Sequence, residues 1–240
     1  MESKKLIVTA SPHITNHTST RGLMLNVCIA LLPALVASTL IFGARALLVT
    51  GVTVAACVGF EALYCVVMKK PVPVGDFSAV VTGMILAFNL PATIPLWIAI
   101  IGAFVAIVVA KQLFGGLGFN FANPALLGRI VLFIGFAGRM TAYAFPQTDI
   151  DALASATPLV AGNSMAGKDM LLQLLLGAHG GVLGETCAVA LILGGIYLIA
   201  TKTISAAIPL SYIGTVAVLS LVLVQDVVLQ LFSGGLLLGA

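Results

Sequence analysis

The chain has 240 residues, of which 60% are hydrophobic and only 8% charged, against roughly a quarter charged in soluble domains. With a mean hydropathy of +1.18, this composition is that of an integral membrane protein and excludes a water-soluble globular fold. The net charge is +3 with the basic residues scattered, which excludes a nucleic-acid surface, because that needs them clustered on one face.

About twenty mostly polar residues precede the first apolar run, so a secretory signal is not expected. A bilayer-spanning helix needs about 20 apolar residues, and shorter ones serve where protein covers them. The apolar runs predict spans over Leu23–Gly43, Ala46–Met68, Phe77–Leu90, Ile94–Ala110, Pro124–Ala137, Val182–Ala200 and Ile204–Val224, with a last one starting at Val227. The expected fold is all-α: a polytopic membrane helix bundle of two inverted-topology repeats with short or broken helices. Residues 1–22 form a cytoplasmic N-terminal segment, 23–137 a first half of about five spans, 138–181 an outer loop and 182–240 a second half. The run Leu236-Leu237-Leu238-Gly239-Ala240 has no polar anchor, and the second half is expected to be incomplete. The third and fifth spans are short, and such interrupted helices mark places where backbone unwinds around a site.

Cys28, Cys57, Cys65 and Cys187 show no metal-type spacing and read as core- or lipid-facing thiols, with no iron–sulfur or zinc site. His13, His17 and His179 form no cluster and read as solvated or capping residues. With a cytoplasmic N-terminus, the inner loops hold Lys4, Lys5, Arg21, Lys69, Lys70, Lys111 and Lys202, against Arg45, Arg139 and Lys168 outside. That bias satisfies the positive-inside rule. Arg129 lies inside a span, and ionisable groups there face a bundle interior or a polar cavity. Glu61 lies close enough to Lys69 and Lys70 to read as interfacial.

Gly75-Asp76-Phe77-Ser78-Ala79-Val80 and Gly184-Glu185-Thr186-Cys187-Ala188-Val189 share a Gly-acid-x-small-Ala-Val pattern, a hint of internal duplication. Each is expected to place its acid in the first turn of an apolar helix, where the helix dipole favours negative charge. Asp76, Glu185 and Arg129 are thus candidates for an ion path. The glycine-rich run Lys111–Pro124 lacks the strand and the closing Gly-Lys-Ser/Thr of a phosphate loop. Asn123 as N-cap with Pro124 at the first helical position explains its end. Phe114, Phe119 and Phe121 then make it a tight cytoplasmic turn or one edge of a pocket for an aromatic ring.

The polar island Thr148–Lys168 centres on Ser155-Ala156-Thr157-Pro158-Leu159. The residue before a proline is pushed towards extended backbone, so Thr157 is expected to present its hydroxyl outward, within reach of an enzyme or ligand. By local chemistry alone an ordinary connecting loop serves as well.

Five segments taken in order resemble the D-subunit family of the Rnf complex, and more distantly the B subunit of the sodium-pumping NADH:quinone oxidoreductase. They are Ser11-Pro12-His13 with Ser19-Thr20-Arg21, Asp76 through Gly83, Lys111 through Gly128, Asp151 through Leu159, and Gly180 through Thr186. The resemblance spans nearly the whole chain. It implies a membrane electron-carrier subunit of an ion-translocating (Na⁺ or H⁺) ferredoxin:NAD oxidoreductase in a bacterial inner membrane. In that family the threonine of an Asp-x-x-(Ser/Thr)-Gly-Ala-Thr motif carries FMN through a phosphoester bond installed by a flavin transferase. The matching residues are Asp151, Ser155 and Thr157; Ala154 stands where Ser or Thr is common, and Ser155 where Gly is. A second, non-covalent flavin (riboflavin) is implied, with its contacts placed on the Phe114–Asn123 turn, at Phe114, Asn120 and Asn123. The implied partners are the A, B, C, E and G subunits, the transferase and lipid, with no nucleic acid. Rival readings are a urea- or ammonium-type solute channel, with Asp76 and Glu185 lining a pore, and a cofactor-free scaffold subunit.

Overall fold

The computed structural model describes residues 19–143, 180–185, 187–223 and 236–239, together with the single residues 175, 177 and 231. Among the described residues the regular structure is helical, with no β-strand. Helix α1 runs over Thr20–Phe42, its N-terminus capped by Ser19, whose Oγ accepts from Gly22 N at 3.1 Å. Gly43, at φ 74°, turns the chain directly into α2, Ala44–Val67. A residue with a Cβ would be strained at that φ, and glycine makes the tight hairpin possible. At 23 and 24 residues the two helices are each about 35 Å long, enough to cross a bilayer.

A 3₁₀ turn at Val74–Asp76 leads into α3, Ser78–Phe88. With 11 residues α3 is only about 16 Å long, half the thickness of a bilayer. Its burial explains how it survives at that length: Ser78, Ala79, Thr82, Gly83, Met84, Leu86, Ala87 and Phe88 are all buried. Gly83 sits so close to α2 that an added Cβ would lie 2.8 Å from Val54 Cα. Helix α4, Leu96–Phe104, continues without a break as a π-helix over Val105–Gln112. Pro124 opens α5, Pro124–Gly135, with the Asn123 side chain accepting from Ala125 N at 3.0 Å; the predicted Asn-Pro start is observed. A single turn, α6, follows over Ala137–Met140.

The span predicted over Val182–Ala200 divides in two. Residues 182–185 form a turn that docks on the end of α3, Leu183 N donating to Leu90 O (3.1 Å) and Gly184 N to Phe88 O (2.9 Å). Helix α7 begins at Ala188 and ends at Ala200, packing on α1 where Gly194 meets the Ala30 carbonyl. Helix α8, Ala207–Leu223, is peripheral, with Ser220 its buried residue. The last described piece is α9, Leu236–Gly239. The third and fifth predicted spans are indeed short helices. Asp76 and Glu185, expected in first turns, lie instead just ahead of their helices.

The bundle depends on close helix contacts through small residues, as membrane interfaces do. On α5, a Cβ added at Gly128 would lie 2.9 Å from the Gly102 carbonyl of α4. Gly128→Leu is therefore expected to destabilise the bundle by about 1–3 kcal/mol through overpacking, read as a lower thermal unfolding midpoint in detergent. Gly51→Ala, with open space around its Cβ position, is expected to leave that midpoint unchanged.

Candidate functional site

Short α3 carries a polar cluster at each end. At its N-terminal end, Lys111 Nζ lies 2.6 Å from Glu61 Oε1 and 2.6 Å from Ser78 Oγ. Gln112 Nε2 also donates to Glu61 Oε1, at 2.8 Å. Ser78 in turn donates through its hydroxyl (2.6 Å) and its backbone N–H (2.8 Å) to Asp76 Oδ1. Asp76 thereby caps α3, satisfying a donor that the helix itself leaves open. Four elements meet here: α2 supplies Glu61, the 3₁₀ turn Asp76, α3 Ser78, and the π-helix both Lys111 and Gln112. The wider π turn lets two consecutive residues reach the same carboxylate oxygen, and π segments of this kind recur at functional sites.

Burial makes this cluster unusual. The exposure of Lys111 is 2% and that of Glu61 is 0%. Glu61 Oε2 is buried without a hydrogen-bond partner, so both donors converge on one oxygen and leave the other bare. A buried charge is tolerated only when paired and hydrogen-bonded, and Lys111 supplies that pairing.

Beside the cluster lies a cavity of about 350 Å³, with Ser78, Thr82, Lys111, Asn120 and Asn123 among its lining residues. Its size falls in the range of small-molecule sites. Asn120 Oδ1 is buried there and also unpartnered, an acceptor left for a ligand donor. Phe114 does not line this space. It is half-exposed and packs on Phe121, ring centroids 4.7 Å apart. Gly115, Gly116 and Gly118, all at positive φ, fold the loop that presents these rings.

At the other end of α3, Arg129 donates to Asn89 Oδ1 at 2.7 Å and its Nη2 lies 3.8 Å from Glu185 Oε1. Asn89 is anchored by its own Nδ2, which donates to Ile85 O at 2.7 Å. Just outside the helices, burial pushes the Tyr143 phenol up, the nearby Glu185 carboxylate adding to this and Arg129 opposing it. Tyr143 is therefore a neutral hydroxyl at physiological pH.

Three of the predicted site residues thus separate into two places. Arg129 and Glu185 come together, while Asp76 belongs to the opposite end of α3. Asn120 and Asn123 share the cavity; Phe114 stands apart from it. Thr157, Asp151 and Ser155 lie outside the described residues. Two expectations require correction. Glu61 is not interfacial but fully buried, and Lys111 is not a loop residue but its ion-pair partner. The signal was present in the sequence: an acid inside one apolar run and a base directly after another. Their partnership, 50 positions apart, was not visible there.

The profile of the NQR2, RnfD, RnfE family matches residues 7–240. The chain belongs to that family. Its relatives include the D subunit of the Na⁺-translocating ferredoxin:NAD⁺ oxidoreductase complex of Acetobacterium woodii. The two are 43% identical over 243 residues, covering 100% of this chain and 76% of the relative. The D subunit of the proton-translocating ferredoxin:NAD⁺ oxidoreductase complex of Clostridium ljungdahlii is 37% identical, over 97% of this chain and 76% of its own. The D subunit of the ion-translocating oxidoreductase complex of Alcanivorax borkumensis is 35% identical, over 98% and 78%.

Removing one partner of a buried ion pair leaves the other charge uncompensated, at a cost of about 3–5 kcal/mol. Lys111→Ala is expected to destabilise this NQR2, RnfD, RnfE family chain by about that amount. The double variant Glu61→Gln/Lys111→Met is expected to recover most of the loss, measured as a double-mutant cycle in thermal unfolding.

Proposed function

We propose that this chain is the D-type electron-carrier subunit of a bacterial ferredoxin:NAD oxidoreductase that moves Na⁺ or H⁺, with FMN attached to Thr157. The reading is carried by similarity along the full chain to subunits of that name, joined to the Asp151–Thr157 segment in its sequence. Flavin, once attached, supplies electron transfer in one- or two-electron steps that no side chain can perform. The chain's own part is to present it. Thr157 offers the hydroxyl that a flavin transferase esterifies, with Asp151 and Ser155 completing the recognised segment of the sequence.

The N-terminus lies in the cytoplasm and the Thr157 loop on the outer side of the inner membrane. With Lys111 removed from the loop count, Lys4, Lys5, Arg21, Lys69, Lys70 and Lys202 still outnumber Arg45, Arg139 and Lys168. The attached flavin therefore faces the outer side, where it meets other subunits of the A, B, C, E and G set. Ferredoxin and NAD are handled by partners on the opposite side.

The cavity beside Ser78 and Lys111 is the place for a second, non-covalent riboflavin. Its volume and the bare acceptor of Asn120 suit a planar heterocycle carrying N–H donors. Asn120 would accept from that ring and Asn123 flank it; Phe114 is outside this contact set. Asn120→Leu is expected to lower the riboflavin recovered after gel filtration at least about tenfold, as loss of a buried acceptor facing a ligand donor does, while leaving any covalent flavin in place.

The deciding experiment is in-gel flavin fluorescence of the denatured protein expressed with its flavin transferase. A fluorescent band is expected in the wild type and none in Thr157→Ala. A dark wild-type band, with the transferase active on another substrate, removes the covalent tether.

A further inference from the structure

We propose that the groove between α1, α7, α8 and α9 binds an anionic glycerophospholipid, with an acyl chain in the groove and the phosphate at Lys202. The groove has a volume of about 250 Å³, and the residues that line it are apolar throughout. Helix α1 contributes Leu31, α7 Gly195 and Ile199, α8 Leu210 and Ile213, and α9 Leu238. Gly195 leaves its stretch of wall bare, since a Cβ added there would meet nothing within 4 Å. Its neighbour Gly194 is closed instead against the Ala30 carbonyl of α1. One glycine thus brings α7 onto α1, and the next keeps the space beside that contact open.

The groove borders the turn between α7 and α8, residues 201–206. Ile199 and Ile204, on either side of Lys202 in the chain, both line it, so the ammonium is carried at its edge. Lys202 is exposed. Among the described residues the ion pairs are Lys111–Glu61 and Arg129–Glu185, and Asp76 is engaged by Ser78. Lys202 therefore has no acid partner among them. The turn itself is held in place. Lys202 N donates to Ile199 O and Thr203 N to Leu198 O, each at 3.0 Å. From α1, Asn26 Nδ2 donates to Thr203 Oγ1 at 3.0 Å, and that oxygen lies 2.9 Å from the Thr201 hydroxyl. A primary amide carries two N–H groups, so Asn26 keeps one for a further acceptor. An unpaired ammonium and an amide N–H beside an apolar slot are the donors that a lipid phosphate accepts from.

The two parts of the site together select the ligand class. In a bilayer the slot gains little from the hydrophobic effect, because lipid tails are as apolar as leucine. Selectivity therefore comes from the headgroup, where a cation near the membrane surface favours negative charge. A soluble anion suits the turn but leaves the groove empty, and a neutral lipid suits the groove but leaves Lys202 unmatched. A partner's membrane helix is about 10 Å across, too wide for a slot of this volume. Neither flavin nor ion transfer takes part in the site.

The test is native mass spectrometry of the full chain released from detergent micelles. The chain is titrated with dioleoyl-phosphatidylglycerol or dioleoyl-phosphatidylcholine, which share their acyl chains and differ in charge. Phosphatidylglycerol is expected to bind about fivefold more tightly. Lys202→Gln is expected to abolish that preference, and Lys202→Arg to keep it. Lys69, exposed beyond the end of α2, does not border the groove, and Lys69→Gln is expected to leave the preference intact. Gly195→Leu fills the slot and is expected to weaken both lipids about fivefold or more. The Lys202 variants change an exposed turn and decide the matter even if Gly195→Leu lowers the unfolding midpoint. The proposal is overturned if the wild type binds both lipids alike, or if Lys69→Gln and Lys202→Gln reduce the preference equally. It is equally overturned if a folded Gly195→Leu binds both lipids as the wild type does.

Discussion

An ammonium and a carboxylate shut away from water must find each other, and in this chain that requirement organises one end of the bundle. Lys111 and Glu61 are almost without solvent exposure, in surroundings where an isolated charge is prohibitive. Meeting at 2.6 Å requires α2 and the π-helix to pack side by side in one register. It also requires the wider π turn, because Gln112 joins Lys111 on the same oxygen. Ser78 is drawn in as the second acceptor of the ammonium, which places the start of α3 at this spot and no other. Asp76 then caps α3 through that serine. One electrostatic constraint thus sets the positions of four elements.

The shortness of α3 follows from what lies at its ends. A helix of half-membrane length leaves open donors at one end and open acceptors at the other, and each set needs partners. The Asp76 carboxylate answers the first need. At the second, the turn at 182–185 donates backbone N–H groups to the Phe88 and Leu90 carbonyls, and Asn89 and Arg129 complete the set. Gly184 permits this approach, since a Cβ there would lie 2.5 Å from Phe88 Cβ. The two acids that looked like a repeated motif therefore serve opposite ends of one helix. Irregular backbone is tolerated at this depth only where protein covers it, and here it is covered.

These arrangements bear on how labour is divided within an electron-carrying membrane protein. The hydroxyl proposed to hold flavin belongs to a polar stretch of sequence, while the buried charged groups are packed among helices. Lys111 and Glu61 are enclosed, where each electrostatic interaction is stronger than it would be in water.

Much of the architecture is legible from the residues alone. Long apolar runs can only be helices in a bilayer, because that geometry alone satisfies the backbone within one segment. Hence α1, α2 and the short α3 and α5 were readable, as was the Asn123–Pro124 start of α5. The family was readable too, from ordered segments along the chain. The partnership of Lys111 with Glu61 was not, for a residue's neighbours in sequence carry no record of its neighbours in space. Lys111 directly follows an apolar run beside a glycine-rich turn, the pattern of a loop-end lysine, and a π-helix has no sequence signature that would have carried the span past it. Likewise nothing local separates Asp76 from Glu185 and Arg129. Composition and pattern determined that this chain is a membrane helix bundle of its family; tertiary packing decided which charges are buried together, because burial and pairing are properties of helices brought into contact.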